Sequence, residues 1–342
     1  MSLIADEMAM GEVSPALLVD AMFGFRKTAA IKAAIELDVF TAIGGNGATA
    51  HSLGTATGAS ERGMRILCDF LVVGGFLTKT DNLYELTPSS QVFLNRQSPT
   101  YMGSAIEFLA APEIARLFLD DPSAFVRNGG SVGLANVAPD NPVWIRFARA
   151  MGSFVASSAQ SLAAEIAQWP TPPRRVLDIA AGHGLFGIEV AKVLPKAEIV
   201  AVDWRSVLAL AEENAKNAGI ADRFRILPGN AFEVDWGTDY DLILLPNFLH
   251  HFDLETCVVL LQKVRGSLSA QGNVVAVEFI PNDDRVSPPF PASFSWEMLA
   301  TTPRGDAYTE KDLMEMARSA GFSGISTRAL PPSPASLIFF KR

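Results

Sequence analysis

Two short runs in this 342-residue chain combine residue types and spacings that can do chemistry. The first is Asp178-Ile-Ala-Ala-Gly182-His183-Gly184-Leu-Phe-Gly187, whose glycines fit the pattern Gly-x-Gly-x-x-Gly between an apolar run and an amphipathic one. Asp203 closes the next apolar run, 21 residues after Gly182. A glycine turn lets the backbone approach a ligand closely, and a carboxylate at that distance suits ribose hydroxyls, so the pair predicts a nucleoside site. The second run is Leu-Leu-Pro-Asn247-Phe-Leu-His250-His251-Phe252. Imidazole, with an unperturbed pKa near 6.5, can take a proton around neutral pH. A metal site is not expected, because adjacent histidines point in different directions and no third ligand stands at a characteristic spacing.

A dinucleotide such as NAD would also fit the glycine turn, and an NAD-dependent oxidoreductase is the first alternative. Three features weigh against it. Asp178 would repel a pyrophosphate, whereas it could order the turn or receive a positively charged ligand. The run Pro228-Gly229-Asn230-Ala231-Phe232 puts an amide and a ring at a strand end, suited to hold an adenine. The chain also finishes with ISTRAL, PPSP and ASLIFFKR, an antiparallel hairpin where a dinucleotide fold would continue with a second parallel unit.

The elements that must position these residues follow from the pattern. From RRVLDIA onward, near-continuous apolar runs (EIVAVD, RFRILPG, YDLILLP, NVVAVEFI) alternate with amphipathic helices (LFGIEVAKVL, VLALAEENAKNAG, DLETCVVLLQKVRGSL, EKDLMEMARSAG). That rhythm predicts an α/β class with a parallel sheet covered on both faces. Upstream, apolar residues at helical spacing run from Pro15 to a stop at Gly44-Gly45. A short helix over 50–57 and a helix capped by Ser60 follow, then a two-stranded wing turning at Asp81-Asn82. We therefore divide the chain into a winged-helix domain at 15–103, a mainly helical connector at 104–160 and an α/β domain at 161–342. The connector has turn signals at Asp121-Pro122, Asn128-Gly130 and Pro139-Pro142, and its last helix begins at Pro142 and runs toward Pro170.

Composition narrows the partners. With 49% hydrophobic and 19% charged residues the chain is globular, and a net charge of −9 disfavours broad contact with nucleic acid. Winged helices often read DNA, yet residues 15–103 hold seven Lys/Arg (Arg26, Lys27, Lys32, Arg62, Arg65, Lys79, Arg96) and seven Asp/Glu (Asp20, Glu36, Asp38, Glu61, Asp69, Asp81, Glu85). A ligand-sensing regulator that reads DNA is thus the disfavoured second alternative. Leu17, Leu18, Val19, Met22, Phe23 and Phe25 make the first helix unusually apolar, which predicts a homodimer surface. Cys68 and Cys257 do not suggest a disulfide framework, no apolar run reaches the length of a membrane span, and MSLIADEMAM lacks a basic start. The expectation is a cytoplasmic protein acting on small molecules, without membrane or nucleic-acid partners.

In this order of motifs the chain resembles the class I S-adenosylmethionine-dependent small-molecule O-methyltransferases. These pair an N-terminal winged-helix dimerisation domain with a Rossmann-like catalytic sheet, as plant caffeate and hydroxyindole O-methyltransferases and bacterial tailoring enzymes do. The resemblance implies S-adenosyl-L-methionine as cofactor, with S-adenosyl-L-homocysteine as product. It implies that Asp178, Gly182 and Gly184 form the cofactor loop and Asp203 holds the ribose. Trp204, Asn230, Ala231 and Phe232 would flank the adenine, and Asn247 would lie nearby at the sheet edge. It also implies that His250 is the general base that strips a proton from an acceptor hydroxyl, in a Leu-His-His-Phe version of the family's Leu-His-Asp-Trp. The acid that orients this base in the family aligns with Ser295, leaving Glu297 or Glu278 as alternatives. Phe147 and Met151 on one helix, with Phe294 and Met298 on another, would wall a flat apolar acceptor of aromatic or polyketide type.

Overall fold

The computed structural model describes residues 13–132, 143–331 and 333–342. The chain divides into two compact units, Met1–Ala115 and Arg116–Arg342. In the first, the helical pattern predicted up to Gly44 breaks into α1 (Ala16–Glu36) and α2 (Val39–Ile43), because Asp38 takes a left-handed conformation with φ of 54°. Then come α3 (Ala50–Thr57), α4 (Glu61–Val73), the wing β1 (Leu77–Thr80) and β2 (Leu83–Leu86), α5 (Pro88–Phe93) and α6 (Ser104–Leu109). Ser60 caps α4 as its type predicts, accepting from the Gly63 N–H at 3.1 Å. The wing pairs antiparallel around Asp81. Phe40, Leu53, Met64, Leu71 and Tyr84 form the core of this unit. The expected apolar face of α1 is present: Leu17, Leu18, Met22, Phe23 and Phe25 are all exposed.

The helices α7 (Pro112–Leu119), α8 (Pro122–Asn128) and α9 (Val143–Ile166) precede the sheet. The predicted Pro142 start and the Pro139-Pro142 turn lie outside the described residues, as do the first ten residues and Pro332. The helix α9 ends at Ile166, short of the expected Pro170, where the Trp169 N–H folds back to the Ile166 carbonyl.

The sheet comprises β3 (Arg175–Ile179), β4 (Glu198–Asp203), β5 (Phe224–Pro228), β6 (Tyr240–Pro246), β7 (Leu268–Glu278), β8 (Gly324–Ala329) and β9 (Ser336–Lys341). Its order is β5-β4-β3-β6-β7-β9-β8, parallel except for β9, which runs antiparallel to both neighbours. Alternate residues feed opposite faces. Val176, Leu242 and Leu244 face α9, α10 (Leu185–Val193) and α11 (Arg205–Asn217), while Leu177, Ile243 and Leu245 face α12 (Leu254–Gly266) and α14 (Glu310–Ser319). One boundary differs from expectation: α12 stops at Gly266, not Leu268. Leu268 instead pairs with Tyr240 and starts β7, while the Ser267 hydroxyl accepts from the Trp236 indole at 2.7 Å. The helix α13 (Pro289–Thr301) lies between β7 and α14 in the chain. The strand order reverses on either side of β3, so the carboxyl ends of β3, β4, β6 and β7 surround the position where open α/β sheets bind ligands. Both cysteines are buried and free, and no described helix is long and apolar enough to cross a membrane.

Candidate active site

The glycine turn leaves β3 at Ile179 and enters α10 through Gly184. Ala180, Gly182 and Gly184 all have positive φ (55°, 57° and 75°), which turns the chain back within a few residues. Gly187 is needed for another reason: a Cβ there would stand 2.7 Å from Ile199 Cγ2 and 2.9 Å from Asp178 Oδ2. Its absence brings α10 against β4 and lets the Gly187 N–H donate to Asp178 Oδ2 at 2.9 Å. Asp178 is fully buried, and burial pushes its carboxyl up to about 7. Its second oxygen, Oδ1, has no partner among the described residues. Beside it, Asp203 accepts from the Gly182 N–H (2.8 Å) and the Trp204 N–H (2.7 Å), one on each oxygen, and burial raises its pKa. Each oxygen keeps a further acceptor position. A Cβ at Gly182 would meet nothing nearer than 3.9 Å, so the turn faces open space. His183 is committed to the turn: its Nδ1 accepts from the Leu185 N–H, and burial lowers its pKa to about 4.

The flanking residues are more local than their types suggest. The Asn230 oxygen accepts from the Phe232 N–H at 3.0 Å, and its amide donates to Glu233, so the side chain shapes its own turn. Ala231 is buried, Phe232 packs edge-on against Phe252, and Trp204 is half-buried at the start of α11. Asn247, at φ of 53°, has a buried side-chain oxygen without a partner among the described residues.

One turn of 3₁₀ helix, Leu249–His251, carries the histidines. His250 is 6% exposed, and its Nδ1 lies 2.5 Å from Oε2 of Glu278, the last residue of β7, itself 4% exposed. Oε1 of Glu278 accepts from the Phe248 (3.0 Å) and Leu249 (2.8 Å) N–H groups at the open end of that turn. A carboxylate so held is an acceptor only, which places a proton on Nδ1 and the lone pair on Nε2. Of the two acids considered from sequence in place of Ser295, then, Glu278 meets the base, whereas no hydrogen bond joins Glu297 to it. The turn is further fixed by Cys257, whose thiol donates to the Leu249 carbonyl at 3.2 Å, and by Asp306, whose N–H donates to the His250 carbonyl at 3.0 Å. Gly305 is required beside it, since a Cβ there would fall 2.2 Å from the His250 carbonyl oxygen. No local sequence signal marks Gly305, because its constraint comes from a residue 55 positions away.

Aromatic rings surround the base. Phe294 meets His250 edge-on at 5.0 Å between centroids, His251 lies at 4.5 Å on another side, and Trp144 meets His251 at 6.3 Å. Phe147 packs against Trp144. Burial and the neighbouring His250 hold the His251 pKa well below 6.5, so His251 is neutral at physiological pH. Phe147, Met151 and Phe294 are half-buried, while Met298 is buried in α13. No cluster of potential metal ligands occurs among the described residues.

This strand order, with its antiparallel end in place of a second mononucleotide half, is the Rossmann-like methyltransferase fold. Residues 129–323 match the O-methyltransferase domain family, and residues 19–96 match the O-methyltransferase dimerisation domain. The chain is 27% identical over 322 residues to a 3-hydroxy-5-methyl-1-naphthoate 3-O-methyltransferase from Streptomyces sahachiroi, covering 92% of this chain and 91% of that one. A crystal structure from Nostoc punctiforme, described as a candidate O-methyltransferase, superposes with a TM-score of 0.92 at 48% identity, over 97% of this chain and all of that one. Human N-acetylserotonin methyltransferase with S-adenosylmethionine bound superposes with a TM-score of 0.84 at 21% identity, over 97% of this chain and 99% of that one.

The chain belongs to the O-methyltransferase family, and it is an S-adenosylmethionine-dependent enzyme. The turn after β3 fits that cofactor: Asp203 has acceptor positions to spare, the space over Gly182 is open, and Asp178 and Asn247 each keep one buried oxygen without a partner among the described residues.

Proposed function

We propose that this enzyme methylates a hydroxyl of a small aromatic or polyketide-like acceptor, with His250 as general base and Glu278 as the residue that orients it. The observation that carries this reading is the His250–Glu278 pair at 2.5 Å, whose far oxygen is held by two backbone N–H groups. S-adenosyl-L-methionine supplies an electrophilic methyl carbon on a sulfonium and leaves as S-adenosyl-L-homocysteine. As the acceptor oxygen forms its bond to carbon, His250 Nε2 takes the hydroxyl proton, and Glu278 stabilises the imidazolium that results. Asp178, Gly182, Gly184, Asp203, Trp204, Asn230, Ala231, Phe232 and Asn247 hold the cofactor. Phe147, Met151, Phe294 and Met298 shape the acceptor space, and much of the acceleration comes from alignment of the reacting atoms. A flat apolar acceptor suits these rings, and the naphthoate named for the Streptomyces relative supports the choice.

The exposed apolar face of α1, within the dimerisation-domain match, supports a homodimer. Phe23→Glu is expected to sediment as a monomer where the native protein sediments as a dimer; a native monomer defeats this part of the reading. The mechanism is tested with His250→Ala and 2-naphthol as acceptor. We expect kcat to fall by about 10²- to 10⁴-fold, with the calorimetric affinity for S-adenosyl-L-homocysteine unchanged. A variant that keeps the full rate from pH 6 to 8 overturns the base assignment.

A further inference from the structure

The acids around His250 nearly all have partners. Glu278 serves His250, Asp253 caps α12 through the Thr256 N–H, and Asp306 accepts from Arg285. Glu297 is different: half-buried on α13, it has no hydrogen-bond or ion-pair partner among the described residues. Burial pushes its carboxyl above the ordinary carboxylate value.

Its position on the helix says where it points. Residues 290, 294, 297 and 301 share one face of α13. On that face Phe290 packs against Phe279 at 5.1 Å, and Phe294 packs against Phe279 at 4.6 Å and against His250 at 5.0 Å. Helical side chains lean toward the helix N-terminus, so Glu297 leans back over the turn that carries Phe294. An acceptor group thus shares a helix face with Phe294, the ring that meets His250 edge-on at 5.0 Å, and no side chain among the described residues satisfies it.

We propose that Glu297 is a specificity-determining residue: it accepts a hydrogen bond from a second hydroxyl or amino group of an aromatic acceptor, adjacent to the hydroxyl that His250 deprotonates. This rests on the acceptor class proposed above. The enzyme then prefers vicinal diols and aminophenols to monophenols, because a monophenol leaves the carboxyl desolvated and unpaired.

The test titrates naphthalene-2,3-diol and 2-naphthol into the protein saturated with S-adenosyl-L-homocysteine, read by calorimetry. The native protein is expected to bind the diol roughly 10- to 100-fold more tightly than the naphthol, as one hydrogen bond to a charged group allows. Glu297→Leu is expected to bring the diol to the affinity of the naphthol, leaving the naphthol within about twofold of its native value. Glu297→Gln, whose carbonyl oxygen still accepts, retains part of the preference, which a merely structural role would not predict. Equal affinities in the native protein, a preference intact in Glu297→Leu, or no binding of either compound overturns the proposal. Because the readout is binding, a His250→Ala protein that keeps its full rate defeats the base assignment without touching the diol preference.

Discussion

The loop after β3 and the turn after β6 leave the same sheet edge from buried parallel strands, yet they treat their polar groups in opposite ways. At the end of β3 and in the loop after it, Asp178 is buried with one oxygen unpaired among the described residues, Gly182 faces open space, and Asp203 retains acceptor capacity. At the turn after β6, Glu278 from the end of β7 accepts from two amides on one oxygen and meets His250 with the other, and rings close around the pair. A group that waits for a ligand is left incomplete and carries the cost of desolvation. A group that must hold one catalytic geometry is satisfied in advance by the protein. Asn247 stands at the join: it belongs to the turn after β6, but its unpaired oxygen behaves like those of the cofactor loop.

The largest way to break this contrast is at Glu278. In Glu278→Ala, His250 Nδ1 and two amides lose their shared partner, and removing one member of a buried pair costs about 3–5 kcal/mol. Denaturant melts should register that loss. Glu278→Gln keeps an acceptor for the amides but not the charge, and kcat with 2-naphthol is expected to drop by about 10- to 100-fold while the fold survives. An unchanged kcat in Glu278→Gln would remove the orienting role and make the pair purely structural.

The smaller test sharpens the other half. Asp178 has a folded pKa of about 7 against 3.8, so the folded state holds a proton that the unfolded state releases. Its contribution is intact below pH 3.8 and is lost as pH rises toward about 7, at no more than roughly 1.4 kcal/mol per pH unit. His183, lowered to about 4, acts in the opposite sense, losing stability as pH falls below 6.5. Asp178→Asn should therefore gain stability relative to the native protein as pH climbs from 4 to 7, and should bind S-adenosyl-L-homocysteine more weakly. Parallel stability curves for the two proteins over that range would show that Asp178 carries no burial cost.

Much of this is legible in the chain alone. Glycine spacing and the alternation of apolar runs with amphipathic helices are local signals, and they pointed to the parallel sheet, the turn at Gly182–Gly187, the wing and the Ser60 cap. Boundaries are less legible where a distant residue decides them, as Tyr240 does for the start of β7 at Leu268, or where a non-glycine residue turns left-handed, as Asp38 does at the break after α1. Asn230 reads as an adenine contact by type, but in the fold its amide first serves its own turn.

The sequence by itself determined which chemistries were available: a nucleoside cradle ending in Asp203 and an imidazole at His250, each set by residue type and near-neighbour spacing. Only the tertiary structure decided which acid serves the base, because Glu278 and Glu297 differ in that respect by where β7 and α13 lie relative to the turn after β6. It also decided that Gly305 must lack a side chain and that Glu297 has no partner among the described residues. Those facts are set by packing between segments far apart in the chain, and spacing along the chain does not encode distances across it.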